Sequence, residues 1–131
     1  MNTDKYKSEE ELNAQTERII GCAFKVSNHF GCGYFEKVYE NALVHELRQS
    51  DLTVTQQHSI DIYYDGVLVG EYIADIIVED TVILELKATT DHHEVFTAQC
   101  LNYLKATGKP ICLLLNFGKP RLEFKRYRGS K

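Results

Sequence analysis

A chain of 131 residues, 44% hydrophobic and 26% charged, is long enough for one domain with a real core, because a chain of this size buries roughly two thirds of its extended surface. No apolar run approaches the ~18 residues of a membrane span, and the first residues hold charges where a signal peptide has its apolar stretch, so no membrane association and a cytoplasmic setting are expected. The net charge of −4 excludes a protein that coats nucleic acid by bulk electrostatics. The charge is unevenly spread. Residues 100–131 hold eight basic residues against Glu123 alone, a local +7, while the other 99 residues sum to −11. This asymmetry permits a phosphate-facing edge built from Lys119, Arg121, Lys125, Arg126 and Arg128. A solvated basic tail is the competing reading.

In chain order, residues 8–30 read as a first helix. Ser8 with Glu11 forms a capping box, and Leu12, Ile19, Ile20, Ala23, Phe24 and Phe30 recur at helical spacing. Gly31-Cys32-Gly33 breaks it. A second helix over 34–49 carries the apolar stripe Phe35, Val38, Tyr39, Ala42, Leu43 and Leu47. The period then changes from 3.6 to 2. Residues 53–64 read as a strand, Asp65-Gly66 as a hairpin turn, 67–78 as the return strand, Glu79-Asp80 as a second turn and 81–89 as a third strand. A third helix over 91–107 has Val95, Ala98, Leu101, Tyr103 and Leu104 as apolar positions, with Gly108 as its C-cap and Pro110 beyond. The apolar run 111–117 predicts a buried strand, and 121–127 a final edge strand. The order ααβββαββ predicts an α/β (α+β) domain with a mixed sheet of about five strands flanked by helices. The strands on either side of the third helix should be parallel near neighbours. One domain spans 1–131, with 1–7 and 128–131 as loose ends. Of the four cysteines, Cys22, Cys100 and Cys112 lie in apolar segments as core residues, Cys32 lies in a loop, and no zinc spacing is present.

The chemistry concentrates in two strands. Glu85 and Lys87 share one face of the third, roughly 7 Å apart along it. An acid and an amine in an apolar strand are costly to bury without a use. Asp75 sits across the Glu79-Asp80 turn, so antiparallel pairing brings it towards Glu85. Two carboxylates and an amine form a cluster suited to a divalent cation and a phosphate. Against this stand plainer readings: Asp75 as a surface acid near a turn, Glu85 and Lys87 as an edge-strand pair, and Glu36 as a helical surface charge. Tyr39 and Tyr103 read as core aromatics, Glu71 as a rim acid, and His92 and His93 as polar residues at the start of the third helix. No glycine-rich phosphate loop and no nucleophile elbow occurs.

Taken together, Gly33-x-x-Glu36-x-x-Tyr39, Asp75, Glu85-Leu86-Lys87 and Gln99-x-x-x-Tyr103 resemble the PD-(D/E)xK nuclease superfamily over residues 15–127. Within it the chain is similar to the GxxExxY proteins, and Gln99 with Tyr103 to the QxxxY element of RecB-like and Cas4-like branches. Ile73-Ala74 replaces the proline before Asp75, a position that varies in the superfamily. The resemblance implies a restriction-endonuclease-like fold and a Mg²⁺- or Mn²⁺-dependent nuclease. Asp75, Glu85 and the Leu86 carbonyl would hold the cation, with Glu36 joining directly or through water. Lys87 would stabilise the developing charge, and Gln99 and Tyr103 would orient substrate or Lys87. DNA is the expected substrate, with RNA as the other possibility and a second copy or protein partner as an aid to holding it. The alternative is a catalytically inert nucleic-acid-binding or protein-interaction module on the same fold.

Overall fold

The computed structural model describes residues 7–91 and 94–129. His92 and His93 lie outside the described residues. Helix α1 (Glu9–Phe30) starts at the predicted capping box: Ser8 Oγ accepts from the Glu11 amide, and Glu11 Oε1 accepts from the Ser8 amide at 2.9 Å. It stops at Gly31, whose φ of 68° suits glycine. Helix α2 (Glu36–Gln49) begins two residues later than its periodicity suggests. Phe35 is its extended N-cap and is 87% exposed, so it leaves the apolar stripe. The cause lies in Tyr39. Its hydroxyl donates to the Gly31 carbonyl at 2.6 Å and accepts from the Tyr34 amide at 3.2 Å. These bonds hold residues 31–34 as a loop and keep the helix from extending backwards.

Among the described residues there are five strands, β1 (Val54–Tyr64), β2 (Val67–Val78), β3 (Val82–Lys87), β4 (Ile111–Asn116) and β5 (Glu123–Arg128), paired in that order in one sheet. Only β3 and β4 run parallel, joined by helix α3 (Glu94–Thr107); the other pairs are antiparallel. This is the predicted βαβ unit inside a mixed sheet. Arg128, placed by the sequence reading in a loose end, is the last residue of β5.

Two buried clusters cover the two faces. On one, Leu12, Ile19, Leu43 and Leu47 of α1 and α2 pack on Val82, Leu84, Leu86, Leu113 and Leu115. On the other, Cys100, Tyr103 and Leu104 of α3 pack on Ile83, Cys112 and Leu114. The alternation of β3 sends Val82, Leu84 and Leu86 to the first face and Ile83, Glu85 and Lys87 towards α3. Two charged side chains therefore occupy sites where apolar residues would continue the second core. Helix α3 is rotated from its expected orientation. Val95, Ala98 and Leu101 face outwards, with Val95 and Leu101 59% and 48% exposed, while Cys100 and Tyr103 are buried. Tyr103 docking edge-on against Tyr72, and Cys100 beside Cys112, set that face. Cys22 is buried and Cys32 exposed, as expected. No helix among the described residues is long and apolar enough to cross a membrane.

Candidate active site

Strands β2 and β3 pair over three rows, from Val78 opposite Val82 to Ile76 opposite Leu84. The next row would hold Asp75 and Glu85. Here pairing ends, and Asp75 Oδ2 accepts the Leu86 amide at 2.8 Å in place of a ladder bond. The fork leaves the two carboxylates near enough for the Asp75 charge to act on Glu85. Lys87 Nζ lies 3.7 Å from Glu85 Oε2. Glu85 is 5% exposed, on an interior strand, and its Oε1 is buried with no hydrogen-bond partner. The edge-strand reading of this pair therefore does not apply.

The electrostatics follow from this crowding. Burial, then the Asp75 charge, push the Glu85 carboxyl up to about 8, against the opposing pull of Lys87. Burial also raises Asp75, and Glu40 and Glu36 add to it, while the Leu86 amide and Lys87 oppose it. Tyr103 is raised by its burial and by Glu85 and Asp75, so its hydroxyl remains protonated near these acids. The site is short of positive charge.

Glu36, at the first turn of α2, lines a cleft of about 550 Å³ with Asp75, Glu40, Gln57 and Ala88. It is exposed, and Lys37 pairs with Glu40 at 3.2 Å, not with Glu36. Glu36 acts on both Asp75 and Glu85 through its charge. Gln99 has a buried Oε1 without a partner one turn before Tyr103. Glu71 accepts from Ser59 Oγ on the exposed β1–β2 hairpin.

The basic candidates divide. Arg121 and Lys125 line a second cleft together with Lys87. Lys119 pairs with Glu123 at 3.8 Å. Arg126 donates to Asn13 Oδ1, and Arg128 pairs with Glu9 at 2.6 Å, so both face α1.

Two residues escaped the sequence reading. Glu40 is 4% exposed and accepts from Gln56 Nε2 at 2.7 Å and from Gln57 Nε2 at 3.0 Å. Gln57 has a φ of 55°, left-handed for a residue inside a strand. The spacing of Glu36 and Glu40, one helical turn apart, was an available signal for the first. Nothing in the sequence announces the second.

A divalent cation fits this donor set. Glu85 Oε1 is an orphaned oxygen, Lys87 opposes the crowding of the two carboxylates without cancelling it, and both are hard ligands. Among the described residues, no group of three or more His, Cys, Asp or Glu side chains is placed to hold a metal ion. Mg²⁺ does not require one, since it is bound through one or two carboxylates with water and substrate oxygens.

Among curated proteins, none matches the sequence significantly. Solved structures do resemble the fold. An alkaline exonuclease, LHK-Exo from Laribacter hongkongensis, shares 14% identity at a TM-score of 0.53, over 95% of this chain and 72% of that one. Its structure in complex with dAMP gives 15% identity and a TM-score of 0.52, and a protein named SSO0001 gives 13% and 0.52. In these last two, 72% of this chain is covered, and it spans about half of theirs, 55% and 50%. These likenesses concern the fold. A sequence model described as the PD-(D/E)XK nuclease superfamily matches residues 13–127, a range that takes in α2, the β2–β3 fork and the whole of α3, and the chain belongs to that superfamily.

Proposed function

We propose that the protein is a divalent-metal-dependent nuclease that hydrolyses phosphodiester bonds of DNA. The observation that carries this reading is the β2–β3 fork, where Asp75, a buried Glu85 with a bare oxygen, and Lys87 meet. When bound, Mg²⁺ or Mn²⁺ supplies Lewis acidity to the scissile phosphate and makes a bound water more acidic.

The chain's own residues do the rest. Asp75 and Glu85 would hold the cation, with the Leu86 carbonyl as a further oxygen in the same segment. Asp75 stays aimed because the Leu86 amide fixes one of its oxygens. Glu36, from α2, lines a cleft with Asp75 and would join through water. Lys87 keeps its ammonium beside Glu85, where a fixed cation lowers the cost of charge gathering on the phosphate oxygens. Tyr103, held protonated by its surroundings, can donate but not accept a proton at neutral pH, which makes it an orienting group and not a base. Gln99 offers its unpartnered oxygen to substrate or to Lys87.

The test is cleavage of labelled DNA, single- and double-stranded, with Mg²⁺, Mn²⁺ or chelator. Wild type should cut with metal only. Lys87→Ala should lose on the order of a thousandfold in rate, the scale of removing one preorganised charge-stabilising group, with melting behaviour retained. Absence of cutting on DNA and RNA in both metals would overturn the nuclease reading.

A further inference from the structure

We propose that the cleft beside Lys87 is a base-binding subsite. It takes an unpaired nucleobase next to the phosphate held at Asp75, Glu85 and Lys87, so the substrate strand is engaged single-stranded or at a frayed end. The inference rests on the nuclease reading of the neighbouring carboxylates and names the form of substrate that they meet.

The cleft has a volume of about 450 Å³ and opens from Lys87. Its walls are aromatic and aliphatic: Phe24 from α1, Phe96 from the first turn of α3, Leu114 from β4 and Phe124 from β5. Phe124 is 43% exposed and meets Phe24 edge-on at 6.2 Å. Cations lie over two of these rings. Lys87 Nζ is 4.5 Å from the Phe96 centroid, and the Arg121 guanidinium is 5.7 Å from that of Phe24. Lys125 completes the basic side. Two acids, Asp91 and Glu123, also line the cleft, each with interactions of its own, that of Glu123 being with Lys119.

A lining that mixes aromatic rings, the half-exposed Phe124 among them, with the cations Lys87, Arg121 and Lys125 matches one ligand chemistry closely: a flat heteroaromatic ring joined to phosphates. The ring stacks on the aromatic walls while its phosphates meet the cations. A base inside a duplex has both faces covered by its neighbours and cannot enter. Lys87 belongs to both places, 3.7 Å from Glu85 and lining the cleft, so a base seated there leaves its own phosphate near the carboxylates. Sequence readout should be weak. The amide of Asn116, the cleft's neutral polar side chain, is already engaged: its Oδ1 accepts from the Thr89 and Gly118 amides, and its Nδ2 donates to the Thr89 carbonyl.

The test uses the full chain with chelator present, so that nothing is cut. Binding is read from the fluorescence of 2-aminopurine placed in a single strand, in the middle of a duplex, and beside an abasic position. Wild type should bind the single strand about tenfold or more tightly over the duplex, with the probe's emission quenched by stacking. Phe96→Ala and the more exposed Phe124→Ala should each weaken single-strand binding about tenfold, with unchanged melting at least for the second. An abasic site at the bound position should cost wild type the same. Equal binding of single strand and duplex, or of intact and abasic strands, would overturn the subsite. If Mn²⁺-dependent cutting proceeds equally within duplexes and in Phe124→Ala, the nuclease reading stands and the subsite falls. If stacking is observed without cutting in either metal, the nuclease reading falls and the subsite stands.

Discussion

At the scale of single residues, Glu85 governs the behaviour of the metal-free protein. Its folded carboxyl titrates near 8 against an ordinary value of 4.5. Between those pH values the native state keeps a proton that the unfolded chain has lost. Stability must therefore fall as pH rises through this window, by at most about 1.4 kcal/mol per pH unit from this group. Asp75 contributes in the same direction. Glu85→Gln removes the larger part: in thermal melts with chelator it should match wild type near pH 4.5 and exceed it near pH 8. Added Mn²⁺ should reverse that order at high pH, because only wild type gains a ligated carboxylate. The trio Asp75, Glu85 and Lys87 was legible because strand alternation and a short turn set which residues share a row and a face. Glu40 and Gln57 were not. Their importance comes from a left-handed backbone and a side-chain bond between helix and strand, and neither leaves a periodic trace.

At the scale of elements, the loop before α2 is held by one hydroxyl. Tyr39 is fully buried and stacks on Phe117 at 4.7 Å, while its hydroxyl bridges Gly31 and Tyr34. Gly33 takes a φ of 112° in this loop, and Tyr39 locks the segment that precedes Glu36, which lines a cleft with Asp75. Tyr39→Phe keeps the ring and loses both bonds. It should cost about 1–2 kcal/mol in urea unfolding and weaken metal affinity, with no loss of helix content by circular dichroism. The order of elements and the parallel β3–β4 pair were legible from period and turn residues. The start of α2 and the buried face of α3 were not, since tertiary contacts at Tyr39 and Tyr103 decide them.

At the scale of the whole molecule, the basic C-terminal third is only partly available to phosphates. Lys109 is 9% exposed and bonds to the carbonyl and carboxylate of Asp80. Arg126 and Arg128 bind α1. Lys87, Arg121 and Lys125 remain around one cleft. If these three meet phosphates, single-strand affinity should fall with salt at a log–log slope of about −2. The double variant Arg121→Ala/Lys125→Ala should reduce the magnitude of that slope by about 1.4. Arg126→Ala should leave it unchanged, and a larger effect from Arg126 than from Arg121 would move the interface to the α1 side.

The most direct measurement is an anomalous difference map from a crystal soaked in Mn²⁺. A single strong peak between the Asp75 and Glu85 carboxylates, on the side that Lys87 faces, and absent from Glu85→Gln, is the expected result. An empty fork at saturating Mn²⁺, or a peak held by other residues while the fork stays bare, would contradict the account.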